Sequence, residues 1–231
     1  MIFRQFFENK SSTYTYLLAD EITSDAVLID PVIDDIEQYA RLLKEFDLSL
    51  RFALDTHVHA DHITALGALR ERYGCVSMMG QQSAAKCVSD HFNDGQQISV
   101  GSLKLDVIYT PGHTDDSYSF YVPQFNSVFT GDTLLIRGTG RTDFQNGDSA
   151  QQYHSLFEKI LRLPATTRVF PGHDYKGWHE STIAEEINHN PRLQVNSVED
   201  YVTMMANLDL PNPAQMDVAV PANENCGTVK L

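Results

Sequence analysis

The chain has 231 residues, 42% of them hydrophobic and 21% charged, proportions that suit a soluble globular protein with one large domain and a real core. Seventeen basic against thirty-one acidic side chains leave a net charge of −14, which argues against a nucleic-acid partner and means that an anionic substrate needs a local positive group. No run of about eighteen apolar residues occurs, so no membrane span or membrane partner is expected.

Residues 1–8 lack the length and cleavage pattern of a secretory signal and read as the first strand. Residues 12–19 and 26–29 are β-branched and aromatic, with breaks at 20–21 and 24–25, and read as two more. A helix is expected from about 35 to 46, with Ile36, Tyr39, Leu43 and Phe46 on one face. Residues 50–55 read as a strand. The helix after it, from 63 to 73, carries Leu66, Leu69 and Tyr73 and stops at Gly74. Then come a short strand at 75–79, a brief helical turn at 84–88, and strands at 101–109, 118–122 and 127–130. The polar, glycine-rich stretch 134–147 reads as a loop. A helix over about 149–161 follows, with Asp148 as N-cap, and then a strand at 168–170. Two helices close the chain. The first runs from Thr182, with Glu185 as capping partner, to before Pro191; the second spans about 198–208 and buries Tyr201, Val202 and Met205. The tail from Pro211, with three prolines, reads as a packed strap. Strands and helices alternate in two successive halves, which predicts a layered α/β architecture. Cys75, Cys87 and Cys226 are odd in number without a CxxC pair. They read as free thiols in a reducing compartment, so the expected location is cytoplasmic.

The chemistry concentrates in Thr56-His57-Val58-His59-Ala60-Asp61-His62, at the junction of an expected strand and helix. Neutral imidazole and carboxylate are ligands for zinc, iron and manganese. An extended backbone places His57 and His59 on one face, while Asp61 and His62 come where the chain leaves the strand. His113, Asp132 and His173 each follow a strand and a glycine (Gly112, Gly131, Gly172), which frees the backbone to turn where a ligand must be aimed. His91, His154, His179 and His189 lack such contexts and read as surface or helix-packing residues.

HxHxDH at such a junction resembles the signature of the metallo-β-lactamase superfamily. That resemblance implies two metals, with His57, His59 and His113 on one, Asp61, His62 and His173 on the other, and Asp132 bridging, and so a binuclear hydrolase using bound hydroxide. The stretch Leu134-Leu-Ile-Arg-Gly-Thr-Gly-Arg-Thr-Asp-Phe-Gln145 narrows the reading, because it resembles the persulfide dioxygenases, also called sulfur dioxygenases or the ethylmalonic encephalopathy protein family. Thr110-Pro-Gly-His-Thr-Asp115, His173-Asp-Tyr-Lys-Gly177, Asn190-Pro-Arg-Leu193 and Val220-Pro-Ala-Asn223 resemble segments of the same family, so the likeness covers most of the chain. Lys176 and Trp178 are unusual for it.

The resemblance implies an α/β fold of the metallo-β-lactamase type: an αββα sandwich, two mixed sheets flanked by helices. Residues 1–231 are then one such domain with a C-terminal helical and strap extension and no rhodanese domain. It further implies a glutathione-dependent enzyme with one Fe(II) per chain on His57, His113 and Asp132, a set that leaves positions open for substrate and O2. Glutathione persulfide and O2 would be its partners, sulfite and glutathione its products, and a homodimer is allowed. His59, Asp61, His62 and His173 would orient ligands and hydrogen-bond water or oxygen. Arg141 is the candidate grip for a glutathione carboxylate, the competing reading being a structural arginine that braces Asp143. Tyr175 and Thr114 are candidate substrate contacts, and Asp174 reads as structural. A glyoxalase II-type binuclear hydrolase of S-acylglutathione is the alternative, and a non-catalytic metal protein stands behind both.

Overall fold

The computed structural model describes residues 1–211 and 215–228. Strands β1 (Ile2–Glu8), β2 (Thr13–Ala19) and β3 (Asp25–Ile29) pair antiparallel in order. Helix α1 (Ile36–Glu45) then returns the chain to lay β4 (Ser49–Leu54) parallel to β3. Helix α2 (Leu66–Tyr73) does the same for β5 (Val76–Gly80), and β6 (Asp90–Phe92) completes the edge. The second sheet begins as an antiparallel meander of β7 (Gln97–Val100), β8 (Leu103–Tyr109), β9 (Tyr118–Val122) and β10 (Ser127–Gly131). A crossover through α3 (Ser149–His154) makes β11 (Arg168–Pro171) parallel to β10, and β12 (Ser181–Thr182) closes that sheet. Helices α4 (Ile183–His189), α5 (Val198–Ala206) and α6 (Met216–Asn223) follow.

Strand alternation decides the layers. Val27 and Ile29 of β3 face the second sheet and meet Phe120, Phe129 and Phe170 in the central core. Ala26 and Leu28 of the same strand point outward, under Tyr39 and Leu43 of α1 and Leu66 and Leu69 of α2. On the far side Val128 and Val169 lie under Leu156, Ile183, Tyr201 and Met205. Both sheets are covered on both faces, and the result is the expected αββα sandwich of two mixed sheets.

Four expectations need correction. Residues 81–89 contain no helical turn, and two strands unforeseen there, β6 and β7, follow; three or four residues are too few to display alternation. The helix expected from 149 keeps its Asp148 cap but changes winding after His154, through a π-helical turn at Ser155–Lys159. The tail is not only a strap. Residues 212–214 and 229–231 lie outside the described ones, but Met216–Asn223 is a helix despite Pro221. A proline that late in a short helix removes one N–H, and burial of Ala219, Ala222 and Asn223 holds the segment. Finally, Cys87 and Cys226 form a disulfide, with Cα atoms 5.9 Å apart across 139 residues of chain, while Cys75 stays free and buried. The reading of three free thiols is therefore wrong, and the ground for expecting a reducing compartment goes with it. A pairing that distant leaves no local trace in a sequence.

Candidate metal centre

The ligand-bearing segments meet at one end of the sandwich, past the ends of β4, β8, β10 and β11. Gly131 sits in the left-handed region at φ 49° with Thr56 packed against it, so no other residue fits without displacing that strand end. Gly140 has the same importance for a different reason. A side chain there would strike the Asp132 carbonyl and the His113 ring.

His57, His113 and Asp132 are brought together, with one donor atom from each lying within 4.8 Å of the others. Their other polar atoms are fixed by the protein. His57 Nδ1 donates to Thr56 Oγ1 at 2.9 Å, because that hydroxyl gives its own proton to Asp30 at 3.0 Å. His113 Nδ1 donates to the Arg141 carbonyl at 2.6 Å. Both imidazoles therefore present an Nε2 lone pair. Asp132 Oδ1 accepts from His173 at 2.6 Å, leaving Oδ2 facing His113 Nε2 at 3.6 Å. Two donors each about 2.1 Å from one ion stand roughly 3 to 3.5 Å apart, and the 3.6 Å between His113 Nε2 and Asp132 Oδ2 is close to that separation. Burial, reinforced by His59 and His113, holds the His57 pKa well below the ordinary imidazole value. Its lone pair is thus free of competition from protons near neutrality.

His59, Asp61 and His62 form a second close trio. Asp30 accepts from His59 Nε2 at 3.1 Å, and Asp61 Oδ2 accepts from His62 at 3.0 Å and from His173 at 2.8 Å. The buried His59 Nδ1 and His62 Nε2 have no hydrogen-bond partner among the described residues. His173 lies between Asp61 and Asp132 and donates to both. Burial opposes charge on His173, but the two carboxylates outweigh it and raise its pKa well above the usual value.

Beside the trio opens a cavity of about 560 Å³ whose wall includes His113, Asp132, Arg141, Phe144, His173, Tyr175 and Arg192. Tyr175 is 72% exposed and its ring stacks on His173, which puts it at the cavity mouth. Thr114 is not on the wall. It is buried, donating to Asp116 at 2.7 Å and holding the 114–117 turn, so the structure gives it a bracing position and not a substrate contact. Arg141 lines the cavity, but its Nε and Nη2 bind Asp143 at 2.6 and 2.7 Å and its Nη1 donates to the Pro211 carbonyl at 2.6 Å. The bracing alternative describes this geometry; the carboxylate grip does not. Asp174 accepts from the backbone of Lys176 and Trp178, each at 2.8 Å, and shapes the turn that carries Tyr175.

Comparison with known proteins gives the family of the chain. The metallo-beta-lactamase superfamily model matches residues 9–173. The mouse protein named persulfide dioxygenase ETHE1, mitochondrial, is 47% identical over 98% of this chain and 89% of its own length. The crystal structure of ETHE1 from Myxococcus xanthus superposes with a TM-score of 0.96 at 51% identity, covering 99% of this chain and all of that one. The chain belongs to the persulfide dioxygenase family. A metallo-beta-lactamase from Staphylococcus aureus, 24% identical with a TM-score of 0.91 over all of this chain and 74% of that one, shares the fold.

This persulfide dioxygenase family member also depends on residues that its motifs do not announce. Asp30 orients both Thr56 and His59. Asn223 of α6 donates to the carbonyls of His59 and His62 at 2.9 and 2.8 Å and accepts from Thr64 N–H at 2.9 Å. Gln145 reaches the Val58 carbonyl at 2.6 Å. The Val-Pro-Ala-Asn segment was a visible signal, but nothing local says what it holds. Among the described residues no helix is long and apolar enough to cross a membrane.

Proposed function

We propose that the chain is a glutathione-dependent persulfide dioxygenase holding one Fe(II) per chain on His57, His113 and Asp132. The observation that carries this reading is the convergence of two imidazole Nε2 atoms and one carboxylate oxygen beside an open cavity, in a member of that family. Two histidines and one carboxylate leave coordination positions for both substrate and O2, the arrangement suited to ferrous oxygen chemistry. Iron bound there would supply the redox chemistry that joins oxygen to the outer persulfide sulfur. The reaction balances as one glutathione persulfide, one O2 and one water giving glutathione, sulfite and two protons. Four electrons pass from the outer sulfur to O2.

The chain's own residues orient and hold. Thr56 and the Arg141 carbonyl fix the two histidine tautomers, and His173 fixes Asp132 through Oδ1. Asp61 Oδ2 is shared by His62, His173 and Thr13, which supports an outer, orienting role for Asp61, His62 and His173, with His59 held by Asp30. The cavity volume falls in the range of small-ligand sites, roughly 300 to 1,000 Å³, and Tyr175 at its mouth offers a hydroxyl to the tripeptide. In the same reading residues 1–231 act as one domain, the C-terminal helices walling the site.

The second trio is the feature that favours the alternative, a binuclear hydrolase of S-acylglutathione, but relatives named persulfide dioxygenase at about half identity do not favour it. Metal analysis together with O2 consumption on glutathione persulfide, run beside hydrolysis of S-lactoylglutathione, tests the proposal. About one iron per chain and O2 uptake abolished by chelation are expected. Two tightly bound zinc ions with full hydrolytic turnover would sink it.

A further inference from the structure

The cavity wall carries five cationic side chains, Lys10, Arg137, Arg141, Lys176 and Arg192. Three are already neutralised. Asp34 pairs with Lys10 at 2.7 Å, Glu185 and Glu186 pair with Arg137, and Asp143 pairs with Arg141. Lys176 and Arg192 have no carboxylate partner among the described residues. Arg192 is half-buried and fixed at one corner, Nη1 donating to the Thr139 carbonyl and, at 3.2 Å, to its hydroxyl. Its Nε and Nη2 have no acceptor among the described residues.

The anchor of Arg192 is itself held by hydrogen bonds. Tyr201 donates to Thr139 Oγ1 at 3.1 Å, Gln152 donates to the Gly140 carbonyl at 3.1 Å, and Gly140 N–H binds the Asp132 carbonyl at 2.7 Å. The guanidinium is thereby tied to the same short stretch that packs against Asp132 and His113. A half-buried guanidinium without a counter-charge carries a desolvation cost, and a planar fork with open donors matches a carboxylate. Burial lowers the Arg192 pKa from its ordinary value, which an incoming anion would reverse. Lys176, exposed beside Tyr175, offers a second unneutralised charge at the mouth.

Glutathione carries two carboxylates. We propose that Arg192 and Lys176 are the two cations that bind them, Arg192 as a fork beside the metal-site wall and Lys176 as a point charge at the entrance. This rests on the dioxygenase reading and assigns its selectivity for a tripeptide persulfide over a bare one. In a chain of net charge −14 an anionic substrate approaches against the general field, so two uncompensated cations in one cavity are what can hold it.

The test uses the iron-loaded full chain with Arg192→Met, Arg192→Lys and Lys176→Met. O2 consumption is followed with glutathione persulfide and with ethyl persulfide, which has no carboxylate, and binding of glutathione is measured by calorimetry. Loss of a charge-assisted contact predicts a KM for glutathione persulfide raised about ten- to a hundredfold in Arg192→Met. Arg192→Lys should recover part of this, since an ammonium cannot present two parallel donors. Lys176→Met should raise KM several-fold, and in all three variants the kcat/KM ratio of glutathione persulfide to ethyl persulfide should fall. If Arg192→Met does not fold, the lysine variant and the exposed Lys176 variant carry the test. Unchanged KM and unchanged glutathione affinity in those variants, or equal losses on both persulfides, overturn the carboxylate assignment alone. A wild-type protein that consumes no O2 with either persulfide overturns the dioxygenase reading and this inference with it.

Discussion

Asp132 divides its two oxygens between His173 and the space shared by His57 and His113. Asp132→Asn keeps the shape but replaces the one anionic donor of that trio by a neutral amide, a poor ligand for a divalent ion. Iron content by metal analysis and turnover by O2 uptake should both collapse, with circular dichroism unchanged. A variant retaining iron and turnover contradicts the ligand assignment. Arg141 belongs to the same scale and a different logic. Its guanidinium ties Asp143 to the Pro211 carbonyl, and its own carbonyl holds His113. Arg141→Ala should therefore cost roughly 1–2 kcal/mol in urea unfolding. It should lower kcat on glutathione persulfide and ethyl persulfide alike, where a substrate grip would show mainly as a KM effect on the first.

At the scale of elements, the stretch 134–147 shows what pattern reading captures and what it misses. Its glycine and polar content marks a loop, but not a fixed one. Glu186 of α4, fully buried, pairs with Arg137; Asn190 donates to the carbonyls of Leu135 and Gly138; Tyr201 of α5 reaches Thr139. Removing one member of a buried ion pair leaves the other charge unpaired, so Glu186→Ala should destabilise by about 3–5 kcal/mol in urea unfolding. A loss below about 1 kcal/mol would mean that water replaces the pair. Helix α6 does for the HxHxDH loop what α4 and α5 do for this one. Asn223→Ala leaves two carbonyls and one N–H without partners, at about 1–3 kcal/mol each where they remain buried. Metal retention under a chelator challenge should shorten along with the stability loss. Helices α3, α4 and α5 were legible from apolar spacing and caps, as the Asp148 and Thr182 caps show, while α6 fell in a stretch expected as a strap. Their role as walls of the site was not.

For the molecule as a whole, the Cys87–Cys226 bridge closes 139 residues of chain and ties the end of α6 beside β5 and β6. Chain-entropy reasoning gives such a loop about 5 kcal/mol as an upper bound, through restriction of the unfolded state. Cys87→Ser, or reduction of the wild type, should lower the thermal midpoint and leave the sandwich intact, as read by calorimetry and circular dichroism. Identical midpoints with and without reductant would show that the bridge constrains nothing. The bridge and Asn223 act on one segment, so their effects should be non-additive in a double variant.

Local chemistry determined much of this protein from sequence alone. Strand alternation, helix periodicity and caps predict the layered α/β order. Glycines at strand ends, where the backbone must turn, mark His113, Asp132 and His173 as candidates beside HxHxDH. These signals span a few residues, and a few residues suffice to express them. Tertiary structure alone decided which groups answer one another: the Cys87–Cys226 pair, Asn223 against carbonyls some 160 residues away, Arg141 occupied by Asp143 and Pro211. Arg192, read beforehand only as part of a family segment, stands without a counter-charge among the described residues for the same reason. Charge pairing and burial are set by segments distant along the chain, so an arginine reads the same in sequence whether its fork is occupied or open.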